Sequence, residues 1–257
     1  MKKYIFIGMG LLAAFVTFAF DFNSLNPDKI SKVVGNSKKA AQGITGISLK
    51  EEQSIGGSVA VEIVAHYGGL VRDEAMTKRV NFIGKSLAYY SARPELTYRF
   101  GILNSDTVNA FSAPGGYIFI TRGLYNLMEN DDELAGALAH EIAHVTERHA
   151  LNIIRRQDLV EGGVGLAGQF GGNAGKQAEM AYSSNIGKIA NTILQTGFSQ
   201  PQEYAADQKG SQLATTVGYA PDGLKNCLEA LQKRGSSGGT TIFPTHPPLK
   251  ERIAKLE

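Results

Sequence analysis

Residues 134–156 read LAGALAHEIAHVTERHALNIIRR and contain three of the chain's five histidines: His140, His144 and His149. Apolar residues recur through this stretch at helical spacing. Asn130, followed three residues later by Glu133, resembles a capping box, which marks the start of a helix. The sequence therefore predicts a helix that begins after Asn130 and runs to about Arg156.

Two of these histidines bracket a glutamate in the pattern His140-Glu141-x-x-His144. Residues four apart lie on one face of a helix, so both imidazoles can point at one metal ion. Zinc favours imidazole nitrogen as a ligand. Glu141 cannot easily join the same ligand set, but it can take a proton from a water molecule beside the metal. The pattern is typical of zinc metallopeptidases.

A catalytic zinc takes three protein ligands and keeps one position for water and substrate. Glu203 is the best candidate for the third ligand, because Asp207 follows one helical turn later and could hold a ligand imidazole through its other nitrogen. Taken alone, the two acidic residues would also fit a solvated helix face. His149 falls off the face shared by the other two histidines, which favours a place at the surface or in contact with a ligand side chain. His66, on another helix, is predicted to be structural.

Composition narrows the class of protein. The chain has 257 residues, of which 43% are apolar and 19% charged, with a formal net charge of +2. This predicts one globular domain, and the lack of a long basic run in the sequence argues against a nucleic-acid partner. The single cysteine, Cys227, rules out an internal disulfide and is predicted to pack as a small apolar side chain.

The N-terminus predicts export. Lys2 and Lys3 precede an uncharged apolar run that ends at Asp21, which is typical of a signal peptide or a single membrane anchor. The predicted organisation is a leader over residues 1–20, a polar lead-in over 21–48 and a folded domain over 49–257. The leader would allow association with a membrane, and the protein is expected to be extracytoplasmic.

Alternating apolar residues over 96–103 predict a strand, and residues 108–123 predict two short strands joined at Pro114-Gly115-Gly116. Helical spacing predicts helices over about 49–67 and 73–90, another from near Pro201, and a final helical pair. The glycine-rich segment near Gly162–Gly175 is either a lid over the site or a surface loop without a role.

Four motifs occur in the order NAFSAPGGYIFITRGL, ELAGALAHEIAHVTERH, EYAAD and THPPLKERI. Together they resemble the zinc metallopeptidase family of the CAAX prenyl endoprotease and its bacterial relatives, over residues 49–257. The resemblance implies a mostly helical α+β, zincin-like fold in which a small antiparallel sheet borders the active-site cleft. It also implies one Zn²⁺ per chain, with His140, His144 and Glu203 as ligands and Glu141 as catalytic base. With a single apolar segment, the chain looks like a member from the bacterial periplasm.

His246 lies in the segment PTHPP, where prolines keep it out of regular structure. Three roles compete: a fourth zinc ligand, a hydrogen-bond donor to the oxyanion of the transition state, or a structural histidine. The resemblance favours a place near the metal, so His246 is counted with Glu141 among the catalytic candidates.

The predicted function is an exported zinc endopeptidase that acts on cell-envelope proteins, in protein quality control. Protein or peptide substrates are expected to add a strand beside Gly116 and Tyr117, with Asn109 nearby. Two alternatives remain: a chaperone or assembly adaptor that keeps the zinc fold for binding, and a purely structural zinc site closed by His246. The intact Glu141 favours the enzyme, because neither alternative needs a base.

Overall fold

The computed structural model describes residues 48–160, 190–194, 197–236 and 248–256. The predicted leader over 1–20, nearly all of the lead-in over 21–48, the glycine-rich segment Gly162–Gly175 and His246 lie outside the described residues. In the described part of the chain, no helix combines the length and the apolar character needed to cross a membrane.

The sheet has three strands: β1 (Arg99–Leu103), β2 (Ala110–Ala113) and β3 (Tyr117–Thr121). Their spatial order is β1-β3-β2, with β3 antiparallel to β2 and parallel to β1. The expectation of an antiparallel sheet is therefore wrong for one of the two pairs. The chain reverses direction between successive strands, so β1 and β3 run the same way, and the central position of β3 makes them a parallel pair.

A 3₁₀ turn over Pro114–Gly116 joins β2 to β3, as predicted. Gly115 and Gly116 adopt φ angles of 73° and 92°, which glycine reaches without the steric cost of a Cβ atom. The carboxylate of Glu52 accepts a hydrogen bond from the Gly115 amide at 3.1 Å and two from the Arg93 guanidinium at 2.8 Å. This buried ion pair holds the turn against the helix Leu49–His66, which carries Glu52.

The helices are α1 (Leu49–His66), α2 (Glu74–Tyr89), α3 (Arg122–Leu127), α4 (Asp131–Thr146), α5 (His149–Val160), α6 (Gln200–Val217), α7 (Gly223–Ser236) and α8 (Leu249–Lys255). Residues 190–194 are also helical. The mostly helical α+β class is confirmed, as are the predicted helices that become α1, α2 and α6 and the final pair α7 and α8.

Helix α4 lies at the centre of the core, where it contacts α2, α6, α7 and β2. Its side chains are buried on nearly every face from Glu133 to Val145, as expected for a helix surrounded by other elements. Cys227 on α7 belongs to the same apolar cluster, which confirms its predicted packing role. Burial raises the pKa of this thiol to about 12.

The long helix predicted from Asn130 to Arg156 is wrong, because the chain breaks it in two. α4 ends at Thr146 and α5 begins at His149. Between them Arg148 adopts the left-handed conformation, with φ 57°. Neither a glycine nor a proline marks the break, so no local pattern in the sequence predicts it.

Candidate metal centre

Helix α4 brings His140 and His144 together at the centre of the domain. Their Nε2 atoms lie 3.0 Å apart, and the two residues are 4% and 1% exposed. The start of this helix is capped as the sequence suggested, since the Asn130 side chain accepts the Glu133 amide at 2.9 Å. The Glu133 carboxylate accepts hydrogen bonds from the backbone amide of Glu129 and from the side-chain amide of Asn130. These contacts replace the bond to the Asn130 backbone amide that would complete a capping box.

Helix α6 supplies Glu203, which is fully buried. Its Oε2 lies 3.5 Å from His140 Nε2, and its Oε1 lies 3.5 Å from His144 Nε2. Gly210 allows this close crossing, because a Cβ at that position would lie 2.8 Å from the backbone of His140. The small residue therefore decides how near Glu203 comes to the two histidines.

The three side chains fit a zinc ion. Their candidate ligand atoms lie within 4.8 Å of one another. A tetrahedral zinc with bonds of 2.0–2.1 Å holds its ligands about 3.4 Å apart. The two Nε2 atoms lie 3.0 Å apart, and each lies 3.5 Å from a different oxygen of the Glu203 carboxylate, which is close to that spacing. Two imidazole nitrogens and one carboxylate oxygen are also a donor set found in catalytic zinc sites.

Asp207 makes the contact that the sequence predicted, with its Oδ1 2.9 Å from His140 Nδ1. Burial alone would lower the pKa of His140, but hydrogen bonds to Asp207 and Glu203 outweigh it and raise the pKa to about 9. Burial would likewise raise the pKa of Asp207, yet hydrogen bonds from Arg252 and His140 hold it well below its usual range. Asp207 therefore stays a carboxylate.

Arg252 on α8 is a site residue that the sequence analysis missed. It is 1% exposed, and its guanidinium bonds both oxygens of Asp207, at 2.8 and 2.5 Å. Its Nη1 also lies 3.5 Å from Glu203 Oε2. The arginine belongs to the motif THPPLKERI, but nothing in that spacing pointed to the two carboxylates, because they reach it only through the packing of α8 against α6.

Glu141 lies between the two histidines on α4 and is 2% exposed. Burial raises the pKa of this carboxyl group to about 7. A bound dication would oppose this shift, because its charge favours the carboxylate form. A glutamate whose pKa is raised by burial and lowered by a nearby dication can both accept and return a proton near neutral pH.

His149 is buried, 6% exposed, and its Nδ1 lies 2.8 Å from Nδ1 of His144. Of the two roles predicted for it, the structure excludes the surface position. Burial lowers the pKa of His149 to about 4, which keeps the ring neutral. Phe198, just before α6, stacks on the ring of His144, with the two ring centroids 4.0 Å apart.

The structure contradicts strand addition beside Gly116 and Tyr117. Tyr117 begins β3, which pairs with β1 on one side and β2 on the other over its length, so no edge of β3 is left for a substrate. Asn109 precedes β2, which is an edge of the sheet. Its Oδ1 accepts the Ala110 amide at 2.9 Å, and its carbonyl accepts the Thr121 amide at 2.9 Å.

Comparison with known proteins decides the family. Residues 74–257 match the model of peptidase family M48. The chain belongs to peptidase family M48. This family assignment confirms the predicted metallopeptidase class and the zincin-like fold. The comparisons show the family as a whole and do not single out the CAAX prenyl endoprotease within it.

Several M48 relatives are similar over most of the chain. The β-barrel assembly-enhancing protease of Escherichia coli K12 is 31% identical over 192 residues, covering 72% of this chain and 39% of that protein. The mitochondrial metalloendopeptidase OMA1 of Schizosaccharomyces pombe is 29% identical, covering 82% and 61%. A protease HtpX homologue of Desulfatibacillum aliphaticivorans is 31% identical, covering 67% and 69%. The chain thus spans about two fifths of the first of these relatives.

Proposed function

We propose that this M48 peptidase is an exported endopeptidase that cleaves proteins of the cell envelope, with Glu141 as general base. His140, His144 and Glu203 would hold one zinc ion. The observation that carries this proposal is a buried cluster: the two Nε2 atoms lie 3.0 Å apart, and each lies 3.5 Å from a different oxygen of the Glu203 carboxylate. Glu141 lies on the same helix between the two histidines. Asp207 would orient His140 through the 2.9 Å contact to its Nδ1.

Bound zinc would supply Lewis-acid chemistry, by polarising the scissile carbonyl and acidifying the attacking water. Glu141 would take the proton of that water and return it to the leaving amine, a task suited to a carboxyl group whose pKa lies near neutrality. Arg252 would keep Asp207 ionised and fixed in place through its two hydrogen bonds. His246 stays a candidate for a donor to the oxyanion or for a fourth ligand.

The substrate backbone would pair with β2 rather than β3. The Asn109 carbonyl accepts the Thr121 backbone amide. The alternation of an antiparallel ladder therefore turns the amide and carbonyl groups of Ala110 and Ser112 away from β3. All four residues of β2 are buried in this structure, so an extended peptide would have to open this edge in order to add to it. Asn109 would fix the start of this edge by accepting the Ala110 amide.

The proposed location and substrates are supported by the N-terminal sequence and by the relatives of the chain. The apolar run after Lys2 and Lys3 supports export, with residues 1–20 as a cleaved leader or an anchor, and a place in the bacterial periplasm. The names of the relatives, an assembly-enhancing protease and a mitochondrial metalloendopeptidase, support a role in protein quality control. The four ordered motifs support kinship with the CAAX prenyl endoprotease.

The first test compares cleavage of casein by wild-type protein and by Glu141→Gln, each loaded with zinc. Losing the general base should lower kcat by about 100-fold or more while zinc content stays at the wild-type level. Glu62→Gln, which alters an exposed glutamate on α1, is the matched control and should cleave like wild type. Equal cleavage by Glu141→Gln would contradict the mechanism. A zinc-loaded wild type without any cleavage would favour the chaperone or adaptor.

A further inference from the structure

Two histidines of the site meet nitrogen to nitrogen. His144 directs Nε2 toward His140 and Glu203, at 3.0 and 3.5 Å. Its other ring nitrogen, Nδ1, lies 2.8 Å from Nδ1 of His149. His149 is 6% exposed, so this contact is shielded from competing water.

The hydrogen bond between the two rings has one consistent direction. One nitrogen must donate and the other must accept. A neutral histidine that binds a metal through Nε2 carries its proton on Nδ1. His144 therefore donates and His149 accepts, which leaves the proton of His149 on its own Nε2. This step rests on the proposed ligation of zinc by His144.

The backbone explains how His149 reaches this position. In an unbroken helix, a residue five places after His144 would lie about 140° around the axis, away from its ring. Instead, the Glu147 amide bonds the Ala143 carbonyl at 2.9 Å, α4 ends, and Arg148 adopts φ 57° before α5 begins. Among the described residues, Arg148 is the one non-glycine residue with positive φ. Such strained residues cluster where function requires a particular geometry.

We propose that His149 is a positioning residue that fixes the tautomer and the orientation of His144, and that the break at Arg148 serves to place it. A neutral imidazole suits this role on electrostatic grounds. The site already holds the carboxyl groups of Glu141, Glu203 and Asp207, and a further carboxylate behind His144 would add a buried negative charge. His149 orients its neighbour without adding charge.

The test compares His149→Leu with His149→Asn. Leucine fills the space but cannot accept a hydrogen bond, whereas asparagine places Oδ1 near the position of Nδ1. His149→Leu should weaken zinc binding by about 10–100-fold, the usual effect of losing such a partner. His149→Asn should stay within a few-fold of wild type. His66→Leu is the matched control, since His66 is exposed on α1, and it should bind zinc like wild type.

A second measurement needs no substitution. Nitrogen-15 NMR of histidine-labelled, zinc-loaded wild type should show His144 protonated at Nδ1 and His149 protonated at Nε2. Zinc binding by His144→Ala serves as the reference for the proposed ligation. If that variant keeps its full zinc, the proposed site has failed. If it loses zinc while His149→Leu keeps it, only the role of His149 has failed.

Three results would overturn the inference while His144 remains a ligand. His149→Leu could bind zinc as tightly as wild type. The zinc affinity of His149→Asn could fall as far as that of His149→Leu, which would show that the packing of the side chain matters and its hydrogen-bond acceptor does not. The NMR spectrum could place the proton of His149 on Nδ1.

Discussion

His140 lies among three charged side chains, Glu203, Asp207 and Arg252, in a region closed to solvent. Burial opposes a charge on the ring, but the hydrogen bonds to the two carboxylates raise its pKa to about 9. At neutral pH the metal-free ring therefore carries a proton that zinc must displace. His140 must lose this proton before its imidazole can bind the metal.

We predict that zinc binding releases about one proton from His140 at pH 7. Apparent zinc affinity should rise about tenfold per pH unit from pH 7 toward 9 and flatten above the pKa. Calorimetric titration in buffers of different ionisation enthalpy measures the released proton directly. Asp207→Asn should release less, because it removes a hydrogen bond and a charge that raise the pKa. Zinc affinity that stays flat between pH 7 and 9 would contradict this account.

The spacing of residues in the sequence predicted some of the side chains in the site and not others. The i, i+4 pair His140 and His144 was predictable, because one helix carries both rings. Glu203 and Asp207 were predictable as a carboxylate pair, since they lie one turn apart on a second helix. Arg252 was not, because its contact with Asp207 joins residues 45 positions apart that lie on two different helices.

At the scale of elements, the crossing of α4 and α6 sets the position of Glu203. Gly210 touches the backbone of His140 and Ala139, and a Cβ there would lie 2.8 Å from His140 Cα. Backbone atoms cannot rotate out of the way as a flexible side chain can. A larger side chain at position 210 would therefore force the two helices apart.

We predict that Gly210→Ala lowers zinc affinity by about tenfold or more, since it moves Glu203 away from the histidines. It should also lower the free energy of unfolding by about 1–3 kcal/mol through overpacking, although alanine is the better helix former by about 1 kcal/mol. Zinc titration and thermal unfolding measure both effects. Gln208→Ala, on an exposed position of α6, is the control. A Gly210→Ala variant that is more stable and binds zinc normally would refute the crossing argument.

Strand and helix positions followed from apolar periodicity, whereas their arrangement did not. The segment over 108–123 gave both strands and their turn. The central place of β3 depends on which strand packs beside β1, and no local pattern encodes that choice. The break at Arg148 was equally unpredictable, because glycine is the residue that usually marks a left-handed backbone conformation and an arginine does not.

At the scale of the whole molecule, distant parts of the chain meet around α4. α6 brings Glu203, α8 brings Arg252, and α5 turns His149 back toward His144. The ion pair of Glu52 and Arg93 fixes the turn before β3 and reaches the end of α4 through the Val145 carbonyl at 3.4 Å. A bound ion would link α4 to α6 and so join segments that lie far apart in sequence.

The central claim is that His140, His144 and Glu203 form one zinc site, and zinc content tests it most directly. Elemental analysis of purified protein should give about one zinc per chain for wild type and far less for Glu203→Ala. Glu74→Ala, at an exposed position of α2, should keep its zinc. Full zinc retention by Glu203→Ala, or a wild type that binds no zinc when supplied with it, would contradict the account.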